Sequence, residues 1–219
     1  MTLQRQNIDT LMKKGCDDML ITEVPLKSNG ESARFFDDHL EFYGTSISYD
    51  EIATLATSNS ITIHTVIFIP MGRSFDGMVT FKMNNGKTHN INMNAMSVFG
   101  IPIIRNPRKN EKLFPPLYDA VYSIVAKSMA QKYIDEINGG GTVEVTGLTV
   151  NSSEATFKSK KAVAFINKDN YRECQVASGY GATVATVYDK QGDTLWSSSI
   201  WSNKNVLLIP YILDAVFGG

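Results

Sequence analysis

Apolar and polar residues alternate along much of the chain with the two-residue period of strands. Ile47, Tyr49 and Glu51 alternate with Ser48, Asp50 and Ile52, and the stretch Ala33 to Ile52 predicts two strands around Tyr43-Gly44. Val79 to Met83 runs into Asn84-Asn85-Gly86, and Thr88 to Met93 returns with Ile91 and Met93 on one face. Asn-Gly between alternating runs predicts a hairpin, because both residues tolerate the positive φ of a type I′ turn. Thr183 to Trp201 repeats this plan around Asp189-Lys190-Gln191-Gly192.

The period changes to that of a helix in two places. Leu117, Val121, Ile124, Val125 and Ile134 form one apolar stripe. The spacing predicts a helix from near Pro115-Pro116, suited to a first turn, to Asn138-Gly139-Gly140-Gly141. At about 22 residues it would be roughly 33 Å long, with 117–137 as its core. A second helix is predicted over Leu207 to Phe217.

The two halves match in order. Tyr49-Asp50-Glu51-Ile52 corresponds to Tyr171-Arg172-Glu173-Cys174, Thr80 to Thr88 with Gly86 to Thr186 to Thr194 with Gly192, and Asp119-Ala120-Val121-Tyr122 to Asp214-Ala215-Val216-Phe217. These matches predict a duplication in which Tyr49, Gly86 and Asp119 superimpose on Tyr171, Gly192 and Asp214. The first half is longer at about Asn59 to Phe75 and about Ile101 to Lys112. Both are expected to be loops, where extra length is tolerated.

Strands closed by one amphipathic helix and then repeated resemble the pleckstrin-homology-like superfold, in its tandem bacterial form. The resemblance rests on Leu40-Glu41-Phe42 with Ile47 to Ile52, Gly147-Leu148-Thr149-Val150, Val187-Tyr188-Asp189-Lys190-Gln191-Gly192 and Leu195-Trp196. It covers about residues 19 to 217. It implies a mainly β fold with capping helices (α+β): two partly open β-barrels, each closed by a C-terminal helix. The implied organisation is an N-terminal extension over 1–18, a first domain over 19–138, a glycine linker over 139–141 and a second domain over 142–219. Such folds bind peptides or anionic lipid head groups at strand edges or open-end loops, and the fold does not choose between them.

Composition narrows the function. Of 219 residues, Lys plus Arg number 21 against 22 Asp plus Glu, so no net positive field favours nucleic acid or anionic lipid. No apolar run reaches the ~20 residues that span a bilayer, and the start lacks a secretory pattern. With only Cys16 and Cys174, a reducing, cytoplasmic location is expected.

The chemistry-bearing residues have simpler readings. Asp37-Asp38-His39 are neighbours on alternating faces and read as a polar turn. His64 and His89 lack spaced metal-ligand partners. Cys174 takes the place of Ile52, so it reads as core, while the acids beside Cys16 disfavour its thiolate. Gly139-Gly140-Gly141 follow a helix and precede a strand, the reverse of a phosphate cradle. Trp196 and Trp201 read as core and edge. Lys158, Lys160 and Lys161 read as a strand face with a solvated turn.

No catalytic residues, metal site or cofactor are expected, and the chain reads as non-enzymatic. The expected function is a binding or scaffolding module acting through protein or peptide contacts. The alternative is a peripheral membrane adaptor holding anionic lipid through a basic loop of Arg105, Arg108, Lys109 and Lys112, flanked by the apolar Ile101 to Ile104. Enzyme chemistry stands third. A homo-oligomer is also expected, through strand edges and the long helix. Met129, Tyr133, Ile134 and Ile137 continue the stripe past what a cap needs and must pack on the second half, which the short glycine linker favours, or on a neighbouring subunit.

Overall fold

A computed structural model of the chain describes residues 19–27, 30–158, 163–179, 182–198 and 204–218; the extension 1–18, with Cys16, and the positions Lys160, Lys161 and Trp201 lie outside them. It is mainly β, with several antiparallel sheets and helices after each half.

The first half opens with a four-stranded meander: β1 (Thr22–Pro25), β2 (Ser32–Phe35), β3 (His39–Phe42) and β4 (Thr45–Ser48). Alternate residues Val24, Ala33, Phe35, Leu40, Phe42 and Ile47 are buried, as expected for a sheet with one face on the core. The stretch before Ile52 thus holds three strands where two are predicted. A 3₁₀ turn, Tyr49–Glu51, leads into two long strands, β5 (Ile52–Val66) and β6 (Ile69–Met83). β6 pairs along one half with β7 (Thr88–Asn92) and along the other with β8 (Ala95–Val98), and β9 (Ile101–Ile104) pairs with β8.

The expected loop at Asn59 to Phe75 is therefore strand. Its β-branched alternation, Ile61-Thr62-Ile63-His64-Thr65, continues the ladder, with Ile61 opposite Phe75 and Val66 opposite Ile69. The second expected loop is ordered too: Ile101–Ile104 is β9, and the residues from Pro107 onward are helical.

The long helix is made of α1 (Pro107–Ala120), a π-helical stretch (Val121–Ala126) and α2 (Lys127–Asn138). It starts eight residues before Pro115. Pro107 suits the first helical position, and the Asn106 side chain accepts from Arg108 N (3.0 Å) and Lys109 N (3.4 Å). Pro115 and Pro116 lie within α1 on its exposed side, although each removes one helical N–H. Gly140, at φ +85°, ends α2 with its N–H on Ile137 O (2.9 Å).

α1 packs on β6 and β1. Phe114 meets Phe75 edge-on at 5.8 Å, and a Cβ on Gly77 would come within 2.6 Å of the Phe114 ring. Gly77→Ala is accordingly expected to cost about 1–3 kcal/mol, by forcing helix and sheet apart. An unchanged denaturation midpoint would show that the helix gives way freely.

The second half repeats the order. β10 (Val143–Val145), β11 (Leu148–Val150), β12 (Ala155–Lys158) and β13 (Val163–Ile166) form a four-stranded meander. β14 (Tyr171–Gly179), β15 (Ala182–Asp189) and β16 (Thr194–Ser197) form a three-stranded one. A 3₁₀ turn, Val206–Leu208, then enters α3 (Ile209–Phe217). Gly86 and Gly192 sit at the same place in like turns. Met83 N donates to Lys87 O (2.8 Å) and Gly86 N to Met83 O (2.9 Å); Asp189 N donates to Asp193 O (2.9 Å) and Gly192 N to Asp189 O (3.0 Å). Tyr49 and Tyr171, both buried, precede β5 and open β14. The aspartates differ in partner: Asp214 accepts from the Tyr171 hydroxyl, whereas Asp119 is exposed on α1 beside β1.

One continuous core joins the halves. α2 packs against α3, and Met129 and Ile137 are buried within the chain. Of the two expected places for the stripe, the second half and a neighbouring subunit, the second half covers much of it. Asn205 closes the other seam. Its left-handed backbone (φ +58°) sets its N–H on Leu55 O (2.7 Å), its Oδ1 on Leu55 N (2.8 Å) and its Nδ2 on Ala53 O (3.3 Å). A register shift between Ile52 and Thr54 turns Ala53 out of the β6 ladder and frees its carbonyl for this contact. Nearby, the Thr183 hydroxyl lies 3.0 Å from both the Thr57 hydroxyl and the Thr57 carbonyl.

Candidate binding surface

β5 and β6 continue past the core as an arm. Beyond Phe75, the last fully buried residue toward its tip, the arm runs roughly 20 Å to the turn at Ile67-Phe68. The β8–β9 hairpin lies along it, with the Phe99 N–H on Met71 O (2.6 Å). From Ile61 outward most of the large side chains are apolar and exposed: Ile61, Ile63, Val66 to Ile69, and then Phe99, Ile101, Ile103 and Ile104. Pairing places Ile61 and Ile63 on the face of Phe75, and Ile101 and Ile104 on the opposite face. Both faces and the tip are therefore apolar.

The turn chemistry at the tip breaks the local rule. Ile67 and Phe68 both have positive φ, 49° and 62°, and are 85% and 96% exposed. The comparable turns Tyr43-Gly44, Phe99-Gly100 and Thr146-Gly147 each place glycine second. A β-branched side chain in this conformation costs on the order of 1–2 kcal/mol, and at this exposure burial does not offset it. Local strain at an exposed apolar tip makes it the candidate site.

The four basic residues lie at the base of the arm, Arg105 in a short connection and the other three on a helix where a loop is expected. Arg105 sits between β9 and α1 at φ +51°, with Nη1 donating to Asn92 O (3.3 Å). Arg108, Lys109 and Lys112 are exposed on the first turns of α1, at spacings of three and four that put them on one side. Asn110 points inward and anchors that turn, with Nδ2 on Met93 O (3.0 Å). Arg73 ties it to β6 through Glu111 (2.5 Å). An open groove between arm and helix is lined by Ile63, Pro70, Arg73, Phe99, Pro102 and Arg108.

Charge is unevenly spread. From Ile52 to Asn110 the chain carries six Lys and Arg and one acid, Asp76, although its net charge is −1. The overall balance, which argues against an anionic partner, hides a basic segment matched by acidic excess elsewhere.

The other residues with chemical potential are engaged or ill placed for catalysis. His39 bonds to Asp38 (2.6 Å) and stacks on Phe36, within a turn whose Asp38 carbonyl accepts from Tyr49 N (2.9 Å). His64 lies 3.2 Å from Ser74 Oγ, and His89 meets Phe42 edge-on. Burial first, then the Asp214 carboxylate, push the Cys174 thiol up to about 12, which keeps it protonated. Burial also raises Tyr49, Tyr122 and Tyr171 above the ordinary tyrosine range, Tyr171 further because its hydroxyl donates to Asp214. Among the described residues, no three His, Cys, Asp or Glu side chains are grouped to hold a metal. Trp196 is buried against Phe157 (6.1 Å). No helix among the described residues is long and apolar enough to cross a membrane.

Sequence reasoning found the basic cluster and the odd apolarity of Ile101 to Ile104, but missed Ile61 to Ile69. The available signal was the unbroken β-branched alternation running into an apolar turn. No protein-family model matches the chain, and no curated protein matches it.

Proposed function

We propose that the chain is a non-enzymatic binding module, a tandem of pleckstrin-homology-like domains that engages its partner through the apolar arm. The repeated order of four-stranded meander, second sheet and helix supports the two-domain reading. In it each half is a partly open barrel under its own helix. The observation that carries the binding function is the Ile67-Phe68 tip, whose exposure and backbone strain have no use inside the chain.

The test exploits that strain. Replacing Ile67 by Asn and Phe68 by Gly supplies the residues a type I′ turn favours, so the variant is expected to be about 1–2 kcal/mol more stable. In the native cell the unmodified chain is expected in a large or particulate fraction, and the variant in the free pool. Identical fractionation of the two would overturn the reading.

A further inference from the structure

We infer that the partner of the arm is an anionic lipid bilayer surface, entered by the apolar tips and held by Arg105, Arg108, Lys109 and Lys112. This rests on the arm being the binding element. The choice of a bilayer comes from shape and charge together. Ile61 and Ile63 lie on one face of the arm, Ile101 and Ile104 on the other, and Ile67 and Phe68 at the end. One docked protein covers one face; the outer acyl layer surrounds a hairpin on all sides. The two tips are staggered, because Phe99 aligns with Met71, back along β6 from Phe68. The shorter hairpin thus reaches a lesser depth than the longer one, matching the 5–10 Å over which interfacial elements enter head groups and upper acyl chains.

Behind the tips stands the basic cluster. Arg108, Lys109 and Lys112 form no ion pair among the described residues. Between Ile52 and Lys112 the acids are Asp76 and Glu111, and Glu111 is paired with Arg73, so little free negative charge opposes an anionic surface there. The cluster acts through its side chains: the first free N–H groups of α1 are already satisfied by Asn106. Each basic residue near an anionic surface contributes on the order of a fivefold factor in partitioning. A marginal wedge and a modest charge patch give weak binding singly and stable binding together, the logic of two-signal anchoring.

The test uses the purified full chain with vesicles of phosphatidylcholine alone, or with phosphatidylserine replacing about a third of it. The unmodified protein should float with the anionic vesicles, far less with the neutral ones, and progressively less as salt is raised. The tip variant (Ile67→Asn, Phe68→Gly) is expected to lose at least about a hundredfold in partitioning. The charge variant (Arg105→Asn, Arg108→Gln, Lys109→Gln, Lys112→Gln) should lose a similar factor, together with its salt dependence. A Phe68→Trp reporter should blue-shift with anionic vesicles and be quenched by lipids brominated high on the acyl chain. Absence of flotation with anionic vesicles, while fractionation in cells still depends on the arm, would overturn the lipid assignment and leave a protein partner. Arm-dependent dimers in light scattering without vesicles would also overturn it, naming a second copy as the occupant. Equal binding to neutral vesicles would overturn the part assigned to the basic residues.

Discussion

Replacing Asn205 by alanine is expected to lower the stability of the whole chain by about 2–4 kcal/mol. The side chain serves two of the groups that β5 presents on its free edge, the Leu55 N–H and the Ala53 carbonyl. Leaving a buried donor or acceptor unpaired costs about 1–3 kcal/mol. Alanine would also have to adopt the left-handed backbone of Asn205, for roughly 1–2 kcal/mol more, and partial exposure of the contacts trims the total. Asn205→Gly separates the contributions, since glycine accepts the backbone but offers no amide, and should lose about 1–2 kcal/mol less than alanine. Denaturant unfolding reads both variants. A change below about 0.5 kcal/mol in the alanine variant, within the ordinary surface range, would show that the clasp holds nothing.

Alkaline pH is expected to unfold the protein from the second half. Cys174 has an ordinary value near 9.0 and is pushed up to about 12 in the fold. For a group whose folded value is raised, stability is fully present below the unfolded value and is lost as pH rises toward the folded one. The window therefore opens near pH 9 and extends to about 12, and the loss is at most about 4 kcal/mol at 1.36 kcal/mol per pH unit. Tyr171 and Tyr122 add to it above their ordinary value of 10.0. Tyr171 does so because its phenolate would face the Asp214 carboxylate. Melting temperatures recorded between about pH 8 and pH 11 should fall steeply in the native chain. They should fall less in Cys174→Val, which fills a similar volume without ionising. Parallel curves would show that the thiol contributes nothing.

What could be read in advance was local. Asn84-Asn85-Gly86 and Asp189 to Gly192 announce their turns because their residues tolerate the backbone those turns need. Gly139 to Gly141 announce a helix end for the same reason. Reading failed where local preference was overridden. Pro115-Pro116 look like a helix start, yet α1 begins at Pro107 because Asn106 caps it and both later prolines face water. Ile67-Phe68 carry none of the residues a tight turn favours, so the arm reads as a long loop. The Asn205 clasp has no local signature, its partners lying 150 and 152 residues away. Part of the candidate surface was legible for another reason: charge and apolarity at Arg105 to Lys112 and Ile101 to Ile104 are compositional and do not depend on where the helix starts.

During synthesis, the clasp imposes an order of events. β5 is made early, but the residue that covers its edge follows Leu55 by 150 positions. At ribosomal rates of about 5–20 residues per second, that edge stands open for roughly 10–30 s on each nascent chain. For a shorter interval the α2 surface that meets α3 is also uncovered, until α3 has followed it from the ribosome. The first half thus waits, with an unpaired strand edge and an apolar helix face, on a ribosome whose neighbours carry identical chains. Slow codons within the first half would shorten this exposure relative to its folding, whereas slow codons between Gly141 and Asn205 would prolong it. Aggregation of newly made protein should be far more sensitive to pauses in that second interval.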